Sequence, residues 1–509
     1  MKRFLLGVDV GTQGTKGVIT DYSGGIVAGL YYPHEVSHPN PGMSEHDAED
    51  VWRKELGIIC RGLIDRSGVD PGDIAAVGCS ALSPCMLPLD ENGSPLRNAI
   101  LYGIDTRSGE EAALYNSSIS IDGTKRSGSM FRTTIPTEAI GARILWYINH
   151  EPELFTRTAM FATASTWLTY CLCGEYFVDY CDAYGYAPMF DADNKCWNED
   201  ICKTIGIDAL QLPSLRPSYQ VVGEIHASAA KLTNLKEGTP VITGTGDFAA
   251  ELISTGAVDG DTCLIYGSTL LIESITSKPV YDEKLALTFH PMNGLYINGG
   301  TTSTSASITK WFRDRFGYEE LLAEKNNYIN AYDALDNLAA KTSPGAEGLV
   351  LLPYFAGERT PIYDEKAKGM LFGLSLHHTK AHIYRAILEG IAYSCKHNAE
   401  VMNQAGLEVT SFLSAGGGVK SRTWVQIMSD VTGLPQKCLP KISGSPGGCA
   451  FLAGYGIGVY KDMQVFVEQR LKDSWSVEPN WENTVKYQKY YDIYRELYEN
   501  TKQQMHKIS

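Results

Sequence analysis

The chain has 509 residues, a formal net charge of −15 and a pI of about 5.3, with 44% hydrophobic and 20% charged residues. That length exceeds one ordinary core and predicts two domains of ~200–250 residues each. The acidity, with no local basic stretch, argues against nucleic-acid binding, because any bound phosphate must be held by local devices: backbone amides, helix N-termini or a metal ion.

The N-terminal MKRFLLGVDVGTQ is too short and too interrupted by Asp9 to read as a leader, and no window of about 18 apolar residues suits a membrane span. The 12 cysteines form no CxxC pair, and the CxC of Cys171 and Cys173 has no zinc partner nearby. Reduced thiols in a cytoplasmic protein are expected.

In chain order, residues 4–32 read as a β-meander: FLLGVDV, a GTQGT turn, KGVITD, a YSGG turn and IVAGLYY. Residues 49–66 carry apolar residues at helical spacing, and DIAAVGCS (73–80) reads as a strand. The region 137–175 looks mainly helical and 176–220 loop-rich. GTPVITGTGD (238–247) predicts a strand and turn, and the helix that follows ends near Gly256. A second β-rich start comes at DTCLIYGSTLLIESI (261–275), so domains of 1–254 and 255–509 are expected. Helices are predicted over 303–316, 379–405 and 482–506, and a strand, Gly loop and helix over 411–433. GVDVGTQGTKGVI and CLIYGSTLLIE echo each other, which is what a duplicated domain would show.

Four segments can carry chemistry. In GVDVGTQGTKGVITD, Asp9 ends a strand and can hold Mg²⁺ through waters. Gly11 and Gly14 permit close backbone approach, and Thr12, Gln13, Thr15 and Lys16 turn donors and charge toward an anion. An ordinary polar hairpin turn is the competing reading, and the segment is not a Walker loop. In ITGTGDFAAEL (242–252), the GxGxxA run lacks the βαβ context of a dinucleotide site. Asp247 reads either as a plain N-cap or as a carboxylate kept ionised by a helix N-terminus, able to accept a proton from an attacking hydroxyl. In SAGGGVKSRTWVQIMSDV (414–431), Gly416, Gly417 and Gly418 form either a tight turn or a side-chain-free surface for a ring or phosphate, with Gln426 two turns into the helix. The segment 351–393 ends in an amphipathic helix whose Ile383, Ile387, Leu388 and Ile391 read as core.

Together these segments resemble the FGGY carbohydrate kinases. PYFAGERTP (353–361) is similar to the xylulokinase-type segment, and GLSLHHTKAHIYRAILEG (373–390) to the family's C-terminal signature. GTGDFAA matches the motif whose Asp is the family's base, and MSEHDAEDVW (43–52) and AILYGIDTR (99–107) also fit.

The resemblance implies an α/β fold of two ribonuclease H-like (actin-like ATPase) domains with an interdomain cleft, the N-terminal one binding sugar and the C-terminal one ATP. It implies ATP and Mg²⁺ as cofactors and transfer of a phosphoryl group to a small sugar, a pentulose such as xylulose. Asp247 is then the catalytic base and Asp9 the Mg²⁺ support. Gly11, Thr12, Gln13, Thr15 and Lys16, with Gly267, Ser268 and Thr269, hold phosphates. Gly416, Gly417 and Gln426 line the adenosine site, and Ser80, Leu82, Ser83, Tyr102, Asp105 and Arg107 are candidates near the sugar.

Several positions depart from the family pattern. Residues 80–88 (SALSPCMLP) lack the Met-His-Gly of xylulokinases, and Leu82 and Ser83 stand where glycerol kinases carry Arg-Glu. Arg143 replaces the signature Lys, and Gly444 an acidic residue. A polyol or aldonate kinase is the alternative, and a non-catalytic nucleotide switch or sugar sensor the remote one. The expected partners are the sugar and ATP, without nucleic acid or membrane; a homodimer is compatible with the sequence.

Overall fold

The computed structural model describes residues 3–118, 134–440 and 442–508. The chain divides into two compact units, one of Met1–Gly256, Thr288–Leu295 and Ser443–Gln469, the other of Ala257–Leu287, Tyr296–Ile442 and Arg470–Ser509. Each has its own apolar core. Among the described residues no helix is long and apolar enough to cross a membrane.

In the first unit, Phe4–Val10, Gly14–Asp21 and Ile26–Pro33 form the expected antiparallel meander. Phe4–Val10 also pairs in parallel with Ile74–Ala81, which pairs in parallel with Pro240–Ile242. Phe4–Val10 is buried on both faces, which explains its nearly unbroken apolar run. The helical segment read at 49–66 is a π-helical stretch, Ala48–Arg53, running into the α-helix Lys54–Ser67. Asp47 starts it by accepting the amides of Glu49 and Asp50. Leu56, Ile59, Cys60, Leu63 and Ile64 form its buried stripe, and Gly68 closes it at φ +66°.

The helix Gly444–Gly456 returns to this first unit. A Cβ at Gly7 would lie 1.7 Å from the Pro446 carbonyl oxygen, and one at Gly448 would lie 1.9 Å from the Ala250 carbonyl oxygen. Only glycine at these two positions lets the helix lie directly on the strand that carries Asp9 and on the helix that carries Asp247.

The second unit repeats the pairing scheme. Thr262–Tyr266 is antiparallel to Leu270–Thr276, which is antiparallel to Tyr296–Thr301. Thr262–Tyr266 is also parallel to Phe412–Gly416, and that strand to Gln436–Cys438. Both units therefore show the strand order of a ribonuclease H-like domain, as the paired hairpins in the sequence imply. The long helix Lys380–Gln404 is fixed from within by a buried ion pair: Arg385 Nε donates to Glu389 Oε1 at 2.7 Å. The Tyr487 hydroxyl and the Gly345 amide donate to the same oxygen, which ties in the terminal helix Trp481–Lys507.

Candidate active site

The site of the first unit is built on three neighbouring strand ends. Asp9 faces Lys16 across the antiparallel pair and Ser80 across the parallel one, and Ser80 in turn faces Thr245. One row of residues thus leads from the first strand to the turn that starts the helix Asp247–Ser254.

Asp9 is buried, and the Ser80 hydroxyl donates to its Oδ1 at 2.8 Å. Burial pushes its carboxyl above the ordinary range, while Lys16 and Ser80 pull it back. Asp247 is half-buried, and its Oδ1 accepts the Phe248 amide at 2.8 Å. A helix N-terminus by itself would hold this carboxyl ionised, as expected from the sequence. Instead, burial first and the charge of Asp9 second push it well above its usual range, with Glu251 and Asp182 adding to the rise. Like charges and desolvation outweigh a helix dipole worth ~0.3–1 kcal/mol. A carboxylate so raised is a stronger proton acceptor than a free one.

The remaining residues of the first hairpin divide. Thr12 Oγ1 lies 2.8 Å from the Tyr102 hydroxyl, so these two candidates meet. Gln13 and Lys16 are exposed at the turn, and the Gly11 amide closes it by donating to the Gly14 carbonyl. Thr15 is fully buried and its hydroxyl is spent on Glu55 Oε2 at 2.5 Å. His34 bonds the same carboxylate and the Gly11 carbonyl, which buttresses the turn from below.

The candidates nearest a sugar also divide. Leu82 is core. The Ser83 side chain lies beside Asp182. Asp105 and Arg107 are bound to each other, with Arg107 Nη2 donating to Asp105 Oδ2 at 2.7 Å. Arg107 also pairs with Glu45 and lies over the Trp146 ring, and Asp105 accepts the Ser44 amide. This pair is satisfied within the protein and serves to brace the 99–107 segment. Arg143, fully buried, donates through Nη1 to the Pro84 carbonyl and so supports the 80–88 loop from behind.

In the second unit, the Gly267–Thr269 turn closes like its counterpart, the Gly267 amide donating to the Thr269 carbonyl. The carbonyls of Gly267 and Ser268 accept the amides of Ala306 and Ser305 and so seat the turn on the helix Ala306–Phe316. Gly416 has φ +93°, and a Cβ there would lie 2.7 Å from the Tyr266 carbonyl oxygen, so it is fixed by packing. Gly417 faces open space. Gln426 donates to Asp430 and to the Glu478 carbonyl, and lines a cavity of about 420 Å³ with Arg385, Arg422, Asp430 and Asn483.

Glu251, Asp179 and Asp182 were not singled out from the sequence. Glu251 lies one helical turn beyond Asp247, a spacing that could have flagged it. Burial raises its carboxyl and Lys16 lowers it. Asp179 and Asp182 lie in a stretch read only as loop-rich, where a four-residue helix, Tyr180–Ala183, gives no periodicity to read.

A duplicated ribonuclease H-like unit, with matching glycine hairpins and a raised carboxylate at a helix start near a strand-end Asp, is compatible with a phosphotransferase acting on an alcohol. The comparisons sharpen that class. The N-terminal domain of the FGGY family of carbohydrate kinases matches residues 4–254, and the family's C-terminal domain matches residues 263–457. The chain belongs to the FGGY family of carbohydrate kinases, and it is an ATP-dependent carbohydrate kinase. It is 31% identical to a xylulose kinase of Staphylococcus epidermidis over 99% of this chain and 98% of that one. It is 28% identical to an autoinducer-2 kinase of an Enterobacter species, over 94% of this chain and 91% of that one. Its fold matches the crystal structure of xylulose kinase from Rhodospirillum rubrum with a TM-score of 0.88 at 28% identity, covering 99% of this chain and 100% of that one.

Proposed function

We propose that the chain transfers the γ-phosphoryl group of ATP to a terminal hydroxyl of a pentulose such as xylulose, with Asp247 as general base. The observation that carries this reading is the row Asp9–Ser80–Thr245, which sets a basic, half-buried carboxylate at Asp247 beside a second carboxylate at Asp9. Asp247 accepts the proton of the attacking hydroxyl as the new O–P bond forms and the bond to the β-phosphate oxygen breaks.

The first unit then binds the sugar and the second ATP. The 11–16 and Gly267–Thr269 turns hold phosphates, and Gly416, Gly417 and Gln426 adjoin adenosine. Of the sugar candidates, Leu82 is core, Asp105 and Arg107 form the ion-pair brace and the Ser80 hydroxyl donates to Asp9, so Ser83 and Tyr102 are the two assigned to the sugar.

The carboxylate of Asp9 suits a hard cation such as Mg²⁺. Among the described residues no three such groups form a protein-only cage, so Asp9 would share the ion with water and nucleotide oxygens. Bound there, Mg²⁺ supplies charge neutralisation at the transferring phosphoryl. The expected setting is the cytoplasm.

Two further considerations favour a neutral ketose. The full-length relative at 31% identity is a xylulose kinase. In addition, Asp9, Asp179, Asp182, Asp247 and Glu251 raise one another's carboxyls in one unit, with Lys16 opposing the rise at Asp9 and Glu251, and would repel the carboxylate of an aldonate.

A coupled ADP-release screen over pentuloses, polyols and sugar acids tests the reading. Strong stimulation by one ketopentose is expected. Stimulation by glycerol, erythritol or gluconate alone would replace the substrate class, and stimulation by none would point to a sensor.

A further inference from the structure

Asp182 is a buried carboxylate that the phosphoryl-transfer chemistry does not use. It is 2% exposed. Its Oδ2 accepts the Ser165 hydroxyl at 2.6 Å, and the Ser83 hydroxyl lies near enough to lower its carboxyl, yet Oδ1 has no hydrogen bond of good geometry among the described residues. A buried carboxylate oxygen left without a donor is costly, and native structures rarely retain one without a use for it.

The direction in which this oxygen faces is defined. A Cβ built on Gly246 would lie 2.6 Å from Asp182 Oδ1 and 3.3 Å from the Ser83 Cβ. Oδ1 therefore lies against the residue that precedes Asp247, next to Ser83, and only a glycine at 246 permits that close approach.

The mounting is rigid. Asp179 accepts the Asp182 amide at 2.9 Å and the Thr245 hydroxyl at 2.8 Å, and it accepts the Ser218 hydroxyl as well. One carboxylate thus fixes both the short helix that bears Asp182 and the turn that bears Asp247. The charges that bear on this corner are those of Asp179 and Asp247, both acidic, so a negatively charged partner would be repelled and a hydrogen-bond donor without negative charge fits.

We propose that Asp182, flanked by Ser83, is a specificity-determining residue of the acceptor site: its Oδ1 accepts a hydrogen bond from a sugar hydroxyl other than the one that is phosphorylated. The inference rests on Asp247 as the base, because it places the second hydroxyl within one small molecule's reach of the first. It explains how a pocket without the Met-His-Gly run can still read a polyhydroxylated acceptor.

The test is a set of kcat/KM measurements for the accepted ketose and its mono-deoxy analogues, in wild type, Asp182→Ala and Ser83→Ala. Wild type is expected to disfavour one deoxy analogue by ~10–100-fold, the worth of a buried hydrogen bond to a charged group. Asp182→Ala should lose a similar factor on the parent sugar, mostly in KM, and treat that one analogue and the parent nearly alike. Its discrimination against the other analogues should persist. Ser83→Ala, which leaves the Asp179 frame intact, should weaken discrimination at the same hydroxyl and decides the matter if Asp182→Ala does not fold. Undiminished discrimination against every analogue in both variants, or an equal loss on all sugars, overturns the inference while leaving the kinase reading in place. A wild type whose ADP release no sugar stimulates overturns both.

Discussion

Thr245 donates its hydroxyl to Asp179 Oδ2 at 2.8 Å, and this bond joins the turn before the candidate base to the short helix that carries Asp182. Removing the donor leaves a buried carboxylate short of one partner. Thr245→Val is expected to cost ~1.5–3 kcal/mol of stability, the range for a hydrogen bond to a charged group. It should also lower kcat more than it raises KM for ATP, because the nucleotide candidates of the second unit are untouched. Thermal melts and steady-state kinetics check both parts.

Stability should fall as pH rises toward neutrality. Burial and Asp179 push the Asp182 carboxyl from 3.8 up to about 7. A carboxyl raised on folding binds more protons in the native state than in the unfolded one. Its contribution is therefore fully present below about pH 4 and is lost as pH climbs toward 7. In the ligand-free enzyme, melting temperature should drop between about pH 4 and about pH 7, the window this shift defines, and level off above it. Asp182→Asn should flatten part of that drop.

Activity should show the opposite limb. Asp247 must be ionised to accept a proton, and its carboxyl is raised by burial and by Asp9. The kcat/KM for sugar should decline as pH is lowered, with an acid limb above the usual range for Asp, roughly pH 4. Asp9→Asn removes the charge that contributes to the rise and should move that limb to lower pH.

The glycine interface between Gly444–Gly456 and its neighbours should tolerate no side chain. Gly448→Ala places a methyl 1.9 Å from the Ala250 carbonyl oxygen, on the helix that starts at Asp247. A loss of ~1–3 kcal/mol is expected, as for an overpacked core. The sugar KM should rise with it, since that helix cannot keep its place. Gly458→Ala is not a fair control, because its φ of +78° strains a side chain on its own.

The signature Glu389 should act through folding, not chemistry. Arg385→Met strands its fully buried carboxylate and should cost ~3–5 kcal/mol. Denaturant melts should register that loss in the second unit before any loss of base chemistry at Asp247.

The parts of the fold that were legible in the sequence have local causes. Each hairpin announces itself through apolar strands around a glycine turn, and the helix 380–404 through its apolar periodicity. The helix Gly444–Gly456 belongs to the first unit because Gly7 and Gly448 remove two side chains far apart in sequence, and no local pattern reports such a match. Asp9 and Asp247 could be read because each ends a strand or starts a helix. Asp105 and Arg107 had the right chemistry for a sugar contact, yet their opposite charges lie two residues apart and satisfy one another. Asp182 carried no signal beyond being a lone acid in an irregular stretch. Its meaning comes from Gly246 and Asp179, which only tertiary structure brings to it.

The central claim is that Asp247 takes the proton of the attacking hydroxyl. The direct measurement is sugar-stimulated ADP release by Asp247→Asn beside wild type, with nucleotide binding followed separately by titration. Loss of turnover by ~10²–10⁴-fold, the usual worth of a general base, with nucleotide affinity unchanged is the expected result. Turnover within a few-fold of wild type would contradict it.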